Sequence, residues 1–128
     1  MTGWTWITAA VAAAVHDRQL AEHGGAEGLR SSGGLESAMA RAENLAAYGE
    51  PDAAALAAAY AFGVARNHPF VDGNKRTAWV LARQFLELNE QRLEFVESEA
   101  IANMLALAAG EIDEDELADW FRERISGA

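Results

Sequence analysis

The chain has 128 residues, a length that suits one domain and leaves little room for a second. Twenty acidic residues against ten basic ones give a net charge of −10, which argues against a surface built to bind nucleic acid or anionic lipid. The absence of cysteine excludes a disulfide framework, a thiolate nucleophile and a cysteine-ligated zinc site. No apolar run approaches the ~18–20 residues of a membrane span. Since the start of the chain also lacks the basic region of a secretory signal, the sequence predicts a cytoplasmic protein.

Composition favours helices over sheets. Alanine accounts for 29 residues, whereas valine and isoleucine together account for ten, and this balance is typical of helical proteins. We find no internal repeat and no linker long enough to divide the chain, so the prediction is a single domain over residues 1–128. Residues 24–34 contain five glycines and two serines. This segment suits a loop that lines a target-binding site and a merely flexible connection equally well.

Hydrophobic periodicity predicts six helices, three of which precede Pro69. Thr8 caps the first, which extends to about Glu22 and carries along one face Val11, Ala14, Val15 and Arg18. The second is short and is marked by Leu35, Ala38, Met39 and Ala42. Pro51 and Asp52 open the third, whose apolar positions are Leu56, Tyr60, Gly63 and Val64. This helix has to end before Pro69, because the residue that precedes a proline avoids the helical region.

The other three helices follow the proline. The fourth runs from about Gly73 to Leu88, and apolar residues surround most of its circumference, which predicts a position at the centre of the bundle. Ser98 caps the fifth, whose apolar residues are Ile101, Met104, Leu105 and Ala108. Asp113 and Glu116 form the capping pair of the sixth, which packs Leu117, Trp120, Phe121 and Ile125. The predicted architecture is an all-α bundle of about six helices.

Residues 66–77 form the one basic segment of this acidic chain. They carry a net charge of +2 against −12 for the remainder, and they include Lys75, the only lysine. Lys75 and Arg76 stand at a helix start, where a cation is unfavourable unless an anion binds to the free amides and the helix dipole. Gly73 lets the backbone approach a phosphate closely, and Asn74 can cap the helix or bind a phosphate oxygen. The segment therefore predicts a local phosphate site.

Two further side chains in this segment suit phosphoryl-transfer chemistry. Asp72 is the natural Mg²⁺ ligand, because magnesium is usually held by one or two carboxylates plus substrate phosphates. His68 can take a proton from an incoming hydroxyl at neutral pH. Each also has an ordinary interpretation, since a single histidine usually lies at the surface and Asp72-Gly73 alone is a turn signal. The other two histidines, His16 and His23, are expected to be helix-end residues without a role.

The ten residues His68-Pro-Phe-Val-Asp-Gly-Asn-Lys-Arg-Thr77 resemble the signature of the Fic/Doc superfamily, and specifically that of the death-on-curing (Doc) toxins. The upstream stretch from His16 through the glycines to Ala38 is similar to the N-terminal segment of that family. Fic enzymes carry His-Pro-Phe-x-Asp/Glu-Gly-Asn-Gly-Arg-x-x-Arg and transfer AMP from ATP to a target hydroxyl. This chain has Lys75 at the second glycine of that pattern and Trp79 at its final arginine. Both differences match the Doc toxins.

The resemblance implies a Doc-type kinase that transfers the ATP γ-phosphate to a threonine of elongation factor Tu and so arrests translation. It implies His68 as the base and Asp72 as the Mg²⁺ ligand. The implied phosphate- and nucleotide-binding residues are Arg66, Gly73, Asn74, Lys75 and Arg76. It further implies ATP and Mg²⁺ as cofactors, and as partner a Phd-like antitoxin whose disordered tail folds onto the toxin. A Fic-type nucleotidyltransferase and a catalytically silent, antitoxin-binding module stay open as alternatives.

Overall fold

Six helices and one small sheet make up the fold of the part of the chain that the structure describes. The computed structural model of the chain describes residues 3–127. In chain order the elements are α1 (Ala9–His23), α2 (Ser32–Tyr48), α3 (Ala53–Asn67), α4 (Asn74–Leu88), β1 (Gln91–Leu93), α5 (Glu97–Ala109), α6 (Glu114–Arg124) and β2 (Ile125–Gly127). The predicted six-helix architecture is confirmed, whereas the antiparallel pairing of β1 with β2 was not predicted. The single domain over residues 1–128 stays a prediction, and residues 1, 2 and 128 lie outside the described part.

The centre of the molecule is shared by α3 and α4. α3 is the most deeply buried helix, since eleven of its fifteen residues are buried. It packs against α2, α4, α5 and α6, and its small side chains allow close approach. α4, predicted at the centre, lies beside it and also contacts α1, α5 and β1. The segment between α3 and α4 is therefore anchored in the core at both ends.

Side-chain caps begin most of the helices. The side chains of Thr8, Ser31 and Asp52 each accept a hydrogen bond from the amide three residues later. Asp113 and Glu116 form the predicted reciprocal capping box of α6. The prediction that Ser98 caps α5 is wrong. The helix begins at Glu97, its N-cap residue is Val96, and no side chain caps it within the described chain. None of the helices formed by residues 3–127 is long and apolar enough to cross a membrane.

Three helices depart in detail from the predictions. α2 buries the four residues expected, yet it has 17 residues and is not short, because the last glycines of the predicted loop are already helical. α1 buries Ala12, His16 and Gln19, whereas Val11 and Arg18 are exposed. α5 buries Ala100, Met104 and Leu107, whereas Ile101 and Leu105 are about half exposed. Alanine supplies apolar positions on every side of α1 and α5, so periodicity could not single out the face that is buried.

Candidate functional site

His68 lies at the turn that follows α3. It caps that helix in the left-handed conformation, with φ 46° and ψ 55°, and its backbone N–H donates to the Val64 carbonyl at 3.2 Å. The helix ends at Asn67, before Pro69, as predicted. A left-handed conformation is unfavourable for a residue with a Cβ atom, and such strained residues concentrate at functional sites. The fold thus holds His68 in a backbone conformation that is unfavourable outside this structural context.

The glycine-rich connection after α1 is hydrogen bonded to residues 68–73, which we call the motif loop. The amides of Arg30 and Ser31 donate to the Pro69 carbonyl at 2.7 and 3.0 Å, and the Val71 amide donates to the Gly28 carbonyl at 3.0 Å. Residues 24–31 therefore lie against the motif loop like a short strand. These bonds speak against the interpretation of this segment as only a flexible connection.

The Asn74 side chain ties the motif loop to the start of α4. This side chain is 8% exposed; its Oδ1 accepts from the Phe70 amide at 3.0 Å and its Nδ2 donates to the Phe70 carbonyl at 2.9 Å. Gly73 is the N-cap of α4, and no side chain caps the helix. Asn74 is therefore not a helix cap, and its side-chain amide is engaged by the loop. What it presents to a ligand is its backbone N–H.

The carboxylate of Asp72 is exposed but fixed in direction. Its Oδ2 accepts from the Ala26 amide at 3.2 Å, and its Oδ1 accepts from the Gly73 amide at 2.8 Å. These two hydrogen bonds, with the nearby positive charge of Arg76, hold the pKa of Asp72 below its usual value. A Cβ atom on Gly25 would lie 2.9 Å from Oδ2, and Gly25 has a positive φ of 126°. A glycine is required there for both reasons.

The first turn of α4 presents several unsatisfied donors. Within residues 3–127, the amides of Asn74, Lys75 and Arg76 have no acceptor, and the first backbone bond of the helix runs from Thr77 to the Gly73 carbonyl. The side chains of Lys75 and Arg76 are exposed and form no ion pair within 4 Å in the described chain. Free amides, helix dipole and two cations together make this turn suited to a phosphate group.

Lys75 and Arg76 open on a cleft of about 430 Å³ between α1, α4 and α5. This volume lies in the range of small-molecule sites. The apolar part of its wall comes from Trp79, Val80, Ile101, Met104 and Leu105. A second, larger cleft of about 650 Å³ lies between α2, α3 and α6, and none of the predicted site residues lines it. Of the predicted site residues, Lys75 and Arg76 line the smaller cleft.

The donor set of the loop fits a magnesium ion that arrives with a nucleotide. Each oxygen of Asp72 accepts one amide hydrogen bond, which leaves further lone pairs directed at solvent. Among residues 3–127 no three His, Asp or Glu side chains are grouped as a metal site built only from protein would require. Magnesium usually takes one or two carboxylates plus substrate phosphates. One fixed carboxylate beside a phosphate-binding turn matches that pattern.

Arg66 lies in the last turn of α3, two residues before His68. Its guanidinium carbon lies 5.5 Å from the ring centroid of Phe62, one turn earlier on α3, and Arg41 lies 4.7 Å from the same centroid. Arg66 does not line the cleft of Lys75 and Arg76. The structure therefore joins Asp72, Asn74 and the start of α4 into one unit and leaves Arg66 beside it.

His16 is the residue that the sequence analysis missed. It lies in the middle of α1, not at a helix end, and is 3% exposed. Its ring stacks on Phe70 with centroids 3.7 Å apart and planes inclined by 5°, and its Nε2 lies 2.8 Å from the Asp72 carbonyl oxygen. Two signals were available in the sequence: His16 begins the upstream stretch that resembles the family, and it shares a helix face with Ala12 and Gln19.

Comparisons with known proteins agree with the motif and its setting. The model of the Fic/DOC family matches residues 6–86, from the start of α1 almost to the end of α4. The chain is 33% identical over 117 residues to Protein kinase doc of Escherichia phage P1, which covers 90% of this chain and 91% of that protein. It is 44% identical over 73 residues to Toxin Doc of Mycolicibacterium smegmatis, which covers 55% of each. The chain belongs to the Fic/DOC family.

Proposed function

We propose that this chain is the toxin of a toxin–antitoxin system, a Doc-type kinase that transfers the γ-phosphate of ATP to a Ser/Thr hydroxyl, with elongation factor Tu as its target. The observation that carries the proposal is the start of α4, where three amides that have no acceptor among residues 3–127 lie beside Lys75 and Arg76. The similar protein of phage P1 bears the name of a protein kinase. Because elongation factor Tu acts in the cytoplasm, the proposal includes that location.

In this mechanism His68 accepts the proton of the attacking hydroxyl. The hydroxyl oxygen forms a bond to the γ-phosphorus, the bond from that phosphorus to the β–γ bridging oxygen breaks, and ADP leaves. Phosphoryl transfer depends mainly on positioning and on charge stabilisation. Lys75, Arg76 and the amides of the first turn of α4 would supply both, because the helix start fixes the amides and the two side chains add positive charge beside them.

The remaining predicted residues have supporting parts in the proposal. Asp72 would hold Mg²⁺, which when bound neutralises charge on the phosphate oxygens. Gly73 allows close approach of the backbone at the helix start, and Asn74 contributes its backbone N–H while its side chain holds the loop. Arg66 enters as a nucleotide-binding residue from the family resemblance alone.

Labelled ATP distinguishes phosphate transfer from AMP transfer. The purified chain is incubated with elongation factor Tu and Mg²⁺, and with ATP labelled at either the γ- or the α-phosphorus. We expect label from the γ position only, and a mass increase of the target by one phosphate. Transfer from the α position alone would instead establish the Fic-type nucleotidyltransferase. Transfer from neither position to this target or to a cell lysate would favour the catalytically silent module.

A variant of His68 tests whether the base is needed. His68→Asn removes the imidazole but keeps a residue that tolerates the left-handed backbone, so the turn is retained. We expect phosphate transfer to fall about 10²- to 10⁴-fold, the usual contribution of a general base. The control is Tyr48→Asn, a change in a side chain that is 93% exposed at the end of α2 and does not line the cleft of Lys75 and Arg76. A His68→Asn protein that retained parent activity would contradict the role of base.

The proposal also includes an antitoxin of the Phd-like kind. Beside Lys75 and Arg76, α5 presents Ile101 and Leu105, which are 50% and 53% exposed. An amphipathic antitoxin segment that covered these side chains would also block the phosphate site. We expect Ile101→Asn with Leu105→Asn to abolish protection by a co-expressed antitoxin; because both side chains also line the cleft of Lys75 and Arg76, phosphate transfer by the variant is measured in parallel. Undiminished protection would place the antitoxin elsewhere.

A further inference from the structure

His16 is a buried histidine that the proposed mechanism does not use. It lies on the inner face of α1, is 3% exposed and stands 56 residues before Asp72 in the chain. A buried histidine that only filled space would need a hydrogen-bond partner of any kind, because an unpaired polar group in a core is costly. Its actual partner is a backbone carbonyl of the motif loop.

This hydrogen bond shows which ring nitrogen of His16 is the donor. A carbonyl oxygen can only accept, so the proton of the 2.8 Å hydrogen bond is on Nε2, which donates to the Asp72 carbonyl. The stacking of the ring on Phe70 fixes the ring plane. A Cβ atom on Gly73 would lie 3.7 Å from Nε2, so the imidazole also covers the residue that begins α4. His16 thus contacts two parts of the loop, the Phe70 ring and the Asp72 carbonyl, and lies beside Gly73.

The Asp72 carbonyl directly precedes Gly73, the N-cap of α4, whose φ is 78°. In an α-helix a carbonyl accepts from the amide four residues later, so a helical Asp72 would take the Arg76 amide as its donor. Here the first helical bond runs from Thr77 to Gly73, and the Asp72 carbonyl accepts from His16 instead. The Arg76 amide is consequently left without an acceptor in the described chain. The N–H of the same peptide, that of Gly73, donates to Asp72 Oδ1, so the peptide that His16 holds also orients the carboxylate, whose Oδ2 accepts from the Ala26 amide.

We propose that His16 is a positioning residue of the phosphate site. By donating to the Asp72 carbonyl it holds this peptide toward α1, keeps the first amides of α4 available to phosphate and orients the Asp72 carboxylate. The inference rests on the proposed function insofar as the phosphate belongs to ATP. His16 touches neither nucleotide nor target in this account, and it acts only through Asp72 and Gly73.

Two matched variants isolate the hydrogen bond. His16→Gln supplies a side-chain N–H at a reach similar to Nε2, whereas His16→Met has a similar length and no donor. A third variant, His16→Phe, keeps a ring to stack on Phe70 and also lacks the donor. Binding of Mg²⁺–ATP is measured by calorimetry, and hydrogen exchange is measured at the Ala26 amide, which reports the Asp72 carboxylate without any turnover. Thermal unfolding shows which variants are folded.

We expect Met and Phe at position 16 to weaken Mg²⁺–ATP binding about tenfold, the value of one well-placed hydrogen bond, and to speed exchange at Ala26. His16→Gln should retain binding close to that of the parent chain. Equal binding by the Gln and Met variants, whether strong or weak, would overturn the proposal, and this pair decides the question if the Phe variant does not fold.

The labelled-ATP experiment separates this inference from the proposed function. If the parent chain transferred α label, the kinase proposal would fail while the Gln–Met difference in binding and exchange would still support the role of His16. If the parent chain transferred γ label and the Gln and Met variants bound Mg²⁺–ATP alike, only the role of His16 would fail.

Discussion

At the scale of single residues, the site combines one fixed anion with two unpaired cations. Asp72 is fixed by two amides, while Lys75 and Arg76 form no ion pair in the described chain. Other arginines that lie near an acidic side chain form ion pairs between elements. Arg41 pairs with Glu114, and Arg122 pairs with Asp52. A cation at a helix start is unfavourable for the helix dipole, so the place of the single lysine supports the proposed anion site.

Lys75 is the residue that we expect to determine whether the γ-phosphate or AMP is transferred. In Lys75→Gly we expect γ-phosphate transfer to fall about 100-fold, the cost of removing one donor to the developing charge. Because glycine also vacates the space that Lys75 fills, transfer of α label should appear. Lys75→Met keeps the bulk without the charge and should lose γ transfer without gaining α transfer. Unchanged γ transfer in Lys75→Gly would refute the role given to the ammonium group.

The buried hydroxyl of Thr77 does not stabilise the fold. It is fully buried, and its Oγ1 has no hydrogen-bond partner among residues 3–127. Replacement of a buried unpaired hydroxyl by a methyl group of the same shape removes a desolvation cost, so Thr77→Val should raise the free energy of unfolding by about 1 kcal/mol. Urea unfolding measures this, with Thr77→Ala as a control that leaves a cavity. A loss of stability in Thr77→Val would reveal a hydrogen bond made by the hydroxyl.

At the scale of elements, the position of the motif loop depends on how the helices around it pack. α3 and α4 are both anchored in the core, and the loop between them is fixed by α1 through His16 and by residues 24–31. α2 follows that glycine-rich segment directly, so its packing on α3 also sets the position of the segment. These two helices approach each other closely at Gly63, where a Cβ atom would lie 2.9 Å from the Ala38 Cα.

Gly63→Ala should therefore destabilise the chain even though alanine is the better helix former. The gain in helix propensity is about 1 kcal/mol. Against it, the new methyl group would meet the Ala38 backbone, which cannot move aside, and overpacking of this kind costs about 1–3 kcal/mol. The matched control is Gly33→Ala in α2, where a Cβ atom has nothing within 4 Å and stability should not fall. Equal unfolding midpoints for the two variants would contradict this account of the α2–α3 contact.

At the scale of the whole molecule, a few ion pairs join distant parts of an acidic chain. Arg122 of α6 donates to both carboxylate oxygens of Asp52, the N-cap of α3, at 2.6 and 2.9 Å. Hydrogen bonding to Arg122 is the main reason that the pKa of Asp52 lies below its usual value. The pair is partly exposed, so it contributes about 0.5–1 kcal/mol and is weakened by salt.

This pair makes stability fall in acid. Because the pKa of Asp52 is lower in the folded chain, its contribution is present above the unfolded value of about 4 and is lost as the pH falls through the folded value. Asp52→Asn should lower stability at pH 7 and have little effect near pH 2. Asparagine caps a helix as well as aspartate does, so the change isolates the charge. Urea unfolding at the two pH values checks this, and an equal loss at both would show that the carboxylate charge does not matter.

The sequence by itself determined the helix types, most of their caps and the residues of the motif. These follow from short-range chemistry: Pro69 ends α3, Asp113 and Glu116 close a capping box, and Lys75 follows Gly73 at a helix start. What these residues touch depended on the tertiary structure. In α1 the alanine-rich sequence left the buried face undecided, so only packing could bring His16 against Phe70 and the Asp72 carbonyl. For the same reason the Asn74 side chain faces Phe70, since contacts between elements are set by packing and not by local periodicity.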